Sequence, residues 1–363
     1  MTRLCFAGPL PPPVNGFYII CARMLDLLKA RMPVAVFDRA PGPRPKAIGF
    51  LQQLIKALNY LTTCIAKRDT ALYLALSGGH GQAIDLLYVL ISKLFRRPIY
   101  IHHHSYTYLN APSRLNRCFF ALVRKESHIV LSPKMGLLLN RVYGLDPAAV
   151  RVVSNAAFYH WEDACQVQAN QAAPLRLGFL SNITFEKGIV EFFDILAALN
   201  RRGIEYRAQI AGPVAPEAQQ SFDRLLQCTP HAHYAGPLYG EDKEGFYRQL
   251  DIFIFPTRYA NEAEPLVIYE AMRHGVHVMA CDRGSIAEML PDGSGVILPR
   301  DAPVEAAVTH IEHFSTDRSA LLCAKNASMQ QAQRLLSSSK ASLENLVALL
   351  EGTSPAGGAR PKR

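Results

Sequence analysis

Short apolar strand patterns alternate with helical patterns along most of this chain, and that alternation limits the folds open to it. In the first half the strand patterns cover residues 4–7, 71–75, 99–102, 128–131 and 151–154. In the second half they cover residues 175–180, 207–211, 252–255, 276–280 and 295–298. Helix-period segments lie between them, so the expected fold class is α/β with parallel, doubly wound sheets. At 363 residues the chain exceeds the roughly 250–300 that one core supports, which makes two domains the expectation. Periodicity lapses and polar residues gather over residues 158–174, the expected linker. The domains are then residues 1–165 and 166–350. A C-terminal helix is expected over about residues 337–350, followed by a disordered Gly-, Pro- and Lys/Arg-rich tail from residue 351 or 352 to 363.

Residues 261–270, NEAEPLVIYE, continue into AMRHG and carry the densest chemistry. Pro265 suits the first helical position, where its missing N–H has no partner to lose. Gly275 is placed to end the helix in a left-handed cap. Glu262 then sits on the loop before the helix and Glu270 inside it. The amides near Leu266 and Val267 are free to receive an anion. Carboxylates for sugar hydroxyls and a dipole end for phosphate together suit a nucleotide-sugar. The spacing by itself also fits a solvated surface pair of glutamates.

The run of residues 251–271, DIFIFPTRYANEAEPLVIYEA, closely resembles the nucleotide-sugar-binding segment of retaining glycosyltransferases of family 4. Pro256, Thr257, Glu262, Glu270, Ala271, Met272 and Gly275 fall in register with that family's pattern. Pro265 replaces its usual glycine. Residues 175–188, LRLGFLSNITFEKG, resemble the first strand and phosphate loop of the same domain, with Lys187 as a cation for the diphosphate. The family's early loop arginine is absent here; the neighbourhood reads Phe179, Leu180, Ser181, Asn182, and Asn182 is a hydrogen-bonding substitute. At the N-terminus, residues 8–16, GPLPPPVNG, resemble the loop beside which donor and acceptor meet. Gly16 would let backbone approach a ligand there, though a rigid proline turn explains the same residues. This is not the GxGxxG dinucleotide fingerprint.

Residues 98–106, PIYIHHHSY, run a strand into three histidines. Successive strand residues point to alternate faces, so the three cannot share one ligand. Related transferases carry a histidine after this strand, which makes His104 the first candidate and His103 the second, with at least one of the three structural. No second set of His, Cys or Asp has ligand spacing, so no metal site is expected. Residues 152–156, VVSNA, resemble the strand and asparagine that close the family's first domain.

The resemblance implies a two-Rossmann architecture of GT-B type, its domains facing each other across a cleft and its last helix crossing back to the first domain. It implies transfer of a sugar from a nucleoside diphosphate sugar to a hydroxyl acceptor with retention of anomeric configuration and without metal or other cofactor. The acceptor would be a glycan or lipid-linked, in polysaccharide, lipopolysaccharide or glycolipid assembly. Glu262, His104 and Lys187 would be catalytic. Gly16, Asn182, Lys187, Leu266, Val267 and Glu270 would bind the donor, with Glu270 on the ribose. A catalytically inactive binding or scaffold protein of the same fold is the alternative.

Eight cysteines are scattered without CxxC pairs, which suits a reducing cytoplasm. No signal peptide and no apolar run of about 20 residues appears. Charge is uneven. Residues 1–165 hold 20 Lys+Arg against 8 Asp+Glu, and residues 166–363 hold 19 against 22. The excess lies in stretches that are also apolar, at residues 46–68, 93–97 and 114–125. They are expected to touch the inner face of an anionic membrane, with a solvated helix face as the alternative. No helix-turn-helix, zinc-finger spacing or RNA-binding aromatic motif points to nucleic acid.

Overall fold

The computed structural model describes residues 3–40, 46–161 and 174–352. It divides into two compact units, Met1–Tyr159 with Ser337–Arg363, and His160–Leu336. The expected linker lies largely in residues 162–173, and the tail in 353–363, both outside the described residues.

The first unit holds β1 (Arg3–Gly8), β2 (Val34–Asp38), β3 (Thr70–Leu76), β4 (Ile99–His103), β5 (Ser127–Val130) and β6 (Val150–Val152). All pairs are parallel, in the order β2-β1-β3-β4-β5-β6. The second unit holds β7 (Leu175–Leu180), β8 (Tyr206–Ala211), β9 (Ala232–Tyr234), β10 (Ile252–Phe255), β11 (His277–Cys281) and β12 (Val296–Leu298). Its order is β12-β11-β10-β7-β8-β9, again parallel throughout. Central strands such as β3 and β10 are buried along their whole length, because helices cover both faces of a parallel sheet. Strand order reverses between β1 and β3 in one sheet and between β7 and β10 in the other. Ligands of such sheets bind outside the carboxyl ends of the strands at these reversals.

Local chemistry sets the helix ends. Asn15 caps the helix Gly16–Arg31 by accepting from the Tyr18 amide at 3.0 Å. Ser113 and Asn116 form a reciprocal capping box on Arg114–Val123. Ser132 caps Pro133–Tyr143, which ends at Gly144 with φ of 65°.

Two expectations are corrected. The last helix runs over Arg318–Glu351, not from residue 337. Its serine cluster costs only tenths of a kcal/mol per residue. No Gly or Pro interrupts it, and Asp317 accepts from the Ala320 amide at its start. Leu343, Leu346, Val347 and Leu350 on its last turns join Phe6, Met24 and Leu28 in the first unit's core. The strands β2 and β9 are additional to the ten expected. Both are edge strands with partly exposed residues; β9, AHY, is too short to show a pattern, whereas β2, VAVFD, does carry a four-residue apolar run.

Candidate functional site

The second unit concentrates charged side chains at the carboxyl ends of β7 and β10. After β7 the chain passes Ser181–Thr184 into a single 3-10 turn, Phe185–Lys187, then Gly188 and the helix Ile189–Arg201. Thr184 caps the turn through the Lys187 amide at 3.3 Å. Gly188 has φ of 86°, and a Cβ there would lie 2.2 Å from the Pro256 carbonyl oxygen. Only glycine allows this approach. It brings the turn against the loop after β10, where the Arg258 amide donates to the Glu186 carbonyl at 2.8 Å. Lys187 is thereby placed beside Glu262, Nζ to Oε2 at 2.5 Å, with the Tyr259 ring centroid 4.6 Å from the ammonium.

Glu262 is buried, with 9% exposure, as is the neighbouring Thr257. Its backbone is held by a third loop, after β11. The Ser285 amide donates to the Ala263 carbonyl at 2.8 Å. Gly284, with φ of 53°, packs so closely that a Cβ would meet the Glu262 carbonyl oxygen at 2.2 Å. Pro265 is the N-cap residue with extended ψ of 122°, one position earlier than expected, and the helix Leu266–Arg273 begins at Leu266. The extended Pro265 turns the chain into the helix, so the amides of Leu266 and Val267 fall in its first turn, which has no intrahelical acceptors. Glu264, just before, is also buried.

Glu270 is buried on that helix and engaged from the helix Gly240–Arg248. Lys243 Nζ lies 2.6 Å from its Oε2, and the Tyr247 hydroxyl donates to the same oxygen at 3.1 Å. The two helices are further joined by Glu244, which pairs with Arg273 and lies 2.7 Å from His274 Nε2. His274 Nδ1 meets the Glu270 carbonyl at 2.7 Å. Burial holds the His274 pKa below its usual value, opposed by that carbonyl and by Glu244. Lys243 and Tyr247 carry no motif that marks them as site residues; their role depends on a helix contact that local spacing does not encode. Asn182 stands exposed on the loop after β7.

In the first unit the three histidines alternate faces. His103, the last residue of β4, is fully buried with both ring nitrogens engaged inside the unit, a core position rather than that of a second candidate. Val123 supplies only a carbonyl, so His128 Nε2 donates to it, at 2.9 Å. His128 Nδ1 then accepts from His103 Nε2 at 2.9 Å, and His103 Nδ1 accepts from the Tyr108 hydroxyl at 2.8 Å. His102, on the other face, meets the Tyr73 hydroxyl through Nδ1 at 2.6 Å. His104 is only partly buried, 4.0 Å from His102 and 4.6 Å from Phe17 between ring centroids. Desolvation holds its pKa well below the usual 6.5, as do His102 and His103, so it is neutral at pH 7. Phe17 follows Gly16, the exposed first residue of its helix, so His104 and Gly16 come to one corner of the sheet's carboxyl edge.

Among the described residues, no group of three or more His, Cys, Asp or Glu side chains is placed to hold a metal ion. Nor is any helix long and apolar enough to cross a membrane.

Comparison with solved structures shows the fold to be of GT-B type, two Rossmann-like α/β domains. The chain is similar to HepE of Anabaena in complex with UDP and glucose, with a TM-score of 0.71 at 16% identity, covering 96% of this chain and 100% of that one. It is similar to the lipopolysaccharide outer core galactosyltransferase WaaB, with a TM-score of 0.72 at 14% identity, covering 96% and 99%. Sucrose-phosphate synthase from Thermosynechococcus elongatus gives 0.67 at 15% identity, covering 98% and 100%. Comparison with curated proteins finds no match. Residues 174–317, the part of the chain that carries Lys187, Glu262 and Glu270, match the family described as Glycosyl transferases group 1.

Proposed function

We propose that this protein is a retaining glycosyltransferase of family 4, moving a sugar from a nucleoside diphosphate sugar to a hydroxyl of a glycan or lipid-linked acceptor in the cytoplasm. The observation that carries the reading is the Lys187–Glu262 pair, set where strand order reverses and beside the start of the helix Leu266–Arg273. Without donor, the two side chains neutralise each other. A bound diphosphate takes the lysine ammonium and the amides of Leu266 and Val267, and Glu262 is released to the hydroxyls of the transferred sugar. Glu270, fixed by Lys243 and Tyr247, accepts from the ribose.

Negative charge grows on the diphosphate as its bond to the anomeric carbon breaks. Fixed donors aimed at that charge lower the barrier more than they stabilise the ground state. The acceptor oxygen bonds to the same face of that carbon, and the departing phosphate takes its proton, so neither glutamate acts as nucleophile. Gly16 and His104 serve the reaction from the first unit, His104 as a neutral hydrogen-bonding group. HepE binds UDP and glucose, and WaaB is a lipopolysaccharide galactosyltransferase, which supports a uridine donor and a role in polysaccharide, lipopolysaccharide or glycolipid assembly.

A thermal-shift titration with UDP, GDP and ADP and their sugar conjugates tests this. Ligand that binds only the folded protein raises the melting temperature by mass action. A shift with one diphosphate, lost in Glu270→Ala, supports the assignment. A folded protein that none of them shifts is an inactive binding protein of the same fold.

A further inference from the structure

The helix Lys46–Ala66 contains no acidic residue and is apolar on two sides. On one side Ala57, Tyr60 and Cys64 are buried. Tyr60 hydrogen-bonds Ser92 at 2.7 Å and stacks on Tyr88, both on the neighbouring helix Gln82–Leu94. On the other side Ile48, Leu51, Ile55, Leu58 and Ile65 follow helical spacing and are 49% to 63% exposed. Leu94, the last residue of the neighbouring helix, is 73% exposed. Isolated surface leucines need no explanation, but a continuous stripe along a helix does.

Arg97 places cations beside the end of this stripe. Its guanidinium donates to the carbonyls of Cys64 at 2.9 Å and Lys67 at 3.1 Å, and also to that of Arg68. This fastens the end of the helix to the turn before β4. Exposed Lys67, Arg68 and Arg96 thus gather near Ile65 and Leu94. The acidic side chains nearby are Asp69, exposed, and Glu126, which pairs with Lys93. Among the described residues, fourteen of the seventeen exposed large hydrophobic side chains lie in the first unit.

We propose that this face docks the protein on an anionic lipid surface. The stripe dips into the boundary between headgroups and acyl chains, and Lys67, Arg68 and Arg96 meet headgroup phosphates. A second copy of the chain fits less well, since the helix Lys46–Ala66 that it would present has no acidic residue to meet these cations, whereas headgroup phosphates supply the opposite charge. The inference does not depend on the reading of the second unit's site.

Flotation of the full chain tests it, using vesicles of two parts phosphatidylcholine to one part phosphatidylglycerol at low salt, with pure phosphatidylcholine as control. The protein floats with the anionic vesicles and much less with the neutral ones. Lys67→Ala and Arg68→Ala each weaken binding about fivefold. Ile55→Gln with Leu58→Gln, at exposed positions and checked for an unchanged melting temperature, weakens it by about tenfold or more. No flotation with anionic vesicles overturns the proposal. So does flotation that the double variant leaves unchanged, since charge alone would then account for it. A dimer in sedimentation that Ile55→Gln with Leu58→Gln dissolves also overturns it, in favour of a second copy on this face.

Discussion

The two units have the same six parallel strands and the same place of reversal, yet they hold different chemistry there. In the second unit the carboxyl ends of β7 and β10 carry an ammonium and a carboxylate in contact, fixed by two glycines that permit close backbone approach. In the first, the corresponding edge carries neutral imidazoles on aromatic neighbours and a proline-rich loop. Their surfaces differ in the same sense, the first half basic and apolar, the second slightly acidic. A shared topology therefore decides where a ligand can bind, while loop residues decide which charge it meets.

The largest expected effect separates the two edges by activity. Glu262→Gln keeps size and hydrogen bonding but removes the charge that balances Lys187, and kcat should fall by about 10²–10³. His104→Ala, which removes a neutral group, should cost only about tenfold in kcat. Steady-state kinetics on the two variants make the test. Equal losses would mean that the first unit contributes as much to the chemistry as the second.

Gly188→Ala comes next. Its Cβ would clash with the Pro256 carbonyl in a left-handed backbone, which costs about 1–3 kcal/mol for the backbone strain before any repacking. Chemical denaturation followed unit by unit should show the loss in the second unit. Gly144→Ala, also left-handed but with open space around it, serves as the first-unit control with strain alone.

Acid should act in the opposite direction and strike the first unit harder. Burial lowers the pKa of His102 to about 3 and of His128 to about 4, and holds His103 and His104 well below 6.5. Each is neutral when folded and takes a proton when unfolded. Stability is thus full above pH 6.5 and is lost as pH falls from 6.5 toward the folded values. The His103–His128 hydrogen bond sharpens this, because its single proton leaves no acceptor for another. In the second unit His277, lowered to about 4, His274 and His310 shift in the same sense, without a hydrogen bond between imidazoles. Hydrogen exchange at pH 7.5 and 5 should show β4 and β5 losing protection before β10 and β11. The reverse order would break the comparison.

How much of this was legible depends on where each signal resides. The central strands are apolar on both faces and stand out in the sequence; β9, three residues at an edge, does not. Lys187 lies on a turn, Glu262 on a loop and Glu270 inside a helix, elements that local residues define, and the family resemblance is what marks the three as candidates. Their partners were not legible. The contact of Lys187 with Glu262 spans 75 residues, and that of Tyr247 with Glu270 spans 23, distances that only the packing of the sheet closes. Alternation along β4 predicted that the three histidines would divide between faces. Both faces are covered, His102 meeting Tyr73 on one and His103 packing among Tyr108, Phe120 and His128 on the other, contacts that the alternation does not show.

Lys243 offers the finest test of the difference between the units, because it adds a second cation to a site whose loop arginine is absent. Lys243→Met removes the ammonium 2.6 Å from Glu270 Oε2 and keeps the Tyr247 hydroxyl beside it, and on the proposed reading the carboxylate is then held less firmly toward a ribose. The hydrogen bond at stake is charge-assisted and partly exposed, so the expected loss is about 1 kcal/mol, or roughly fivefold in nucleoside diphosphate affinity. Lys243→Arg should restore most of it, and kcat at saturating donor should stay near wild type in both variants. Calorimetry with the diphosphate, alongside the same titration on a 2′-deoxy analogue, distinguishes the roles. If Lys243 acts by orienting Glu270, the ribose hydroxyl and the lysine are coupled, and the analogue binds the wild type and Lys243→Met with nearly equal affinity. If the lysine instead touches the diphosphate directly, the analogue loses the same fivefold, and the second unit's site is built around two cations on the phosphates with Glu270 as their counter-ion.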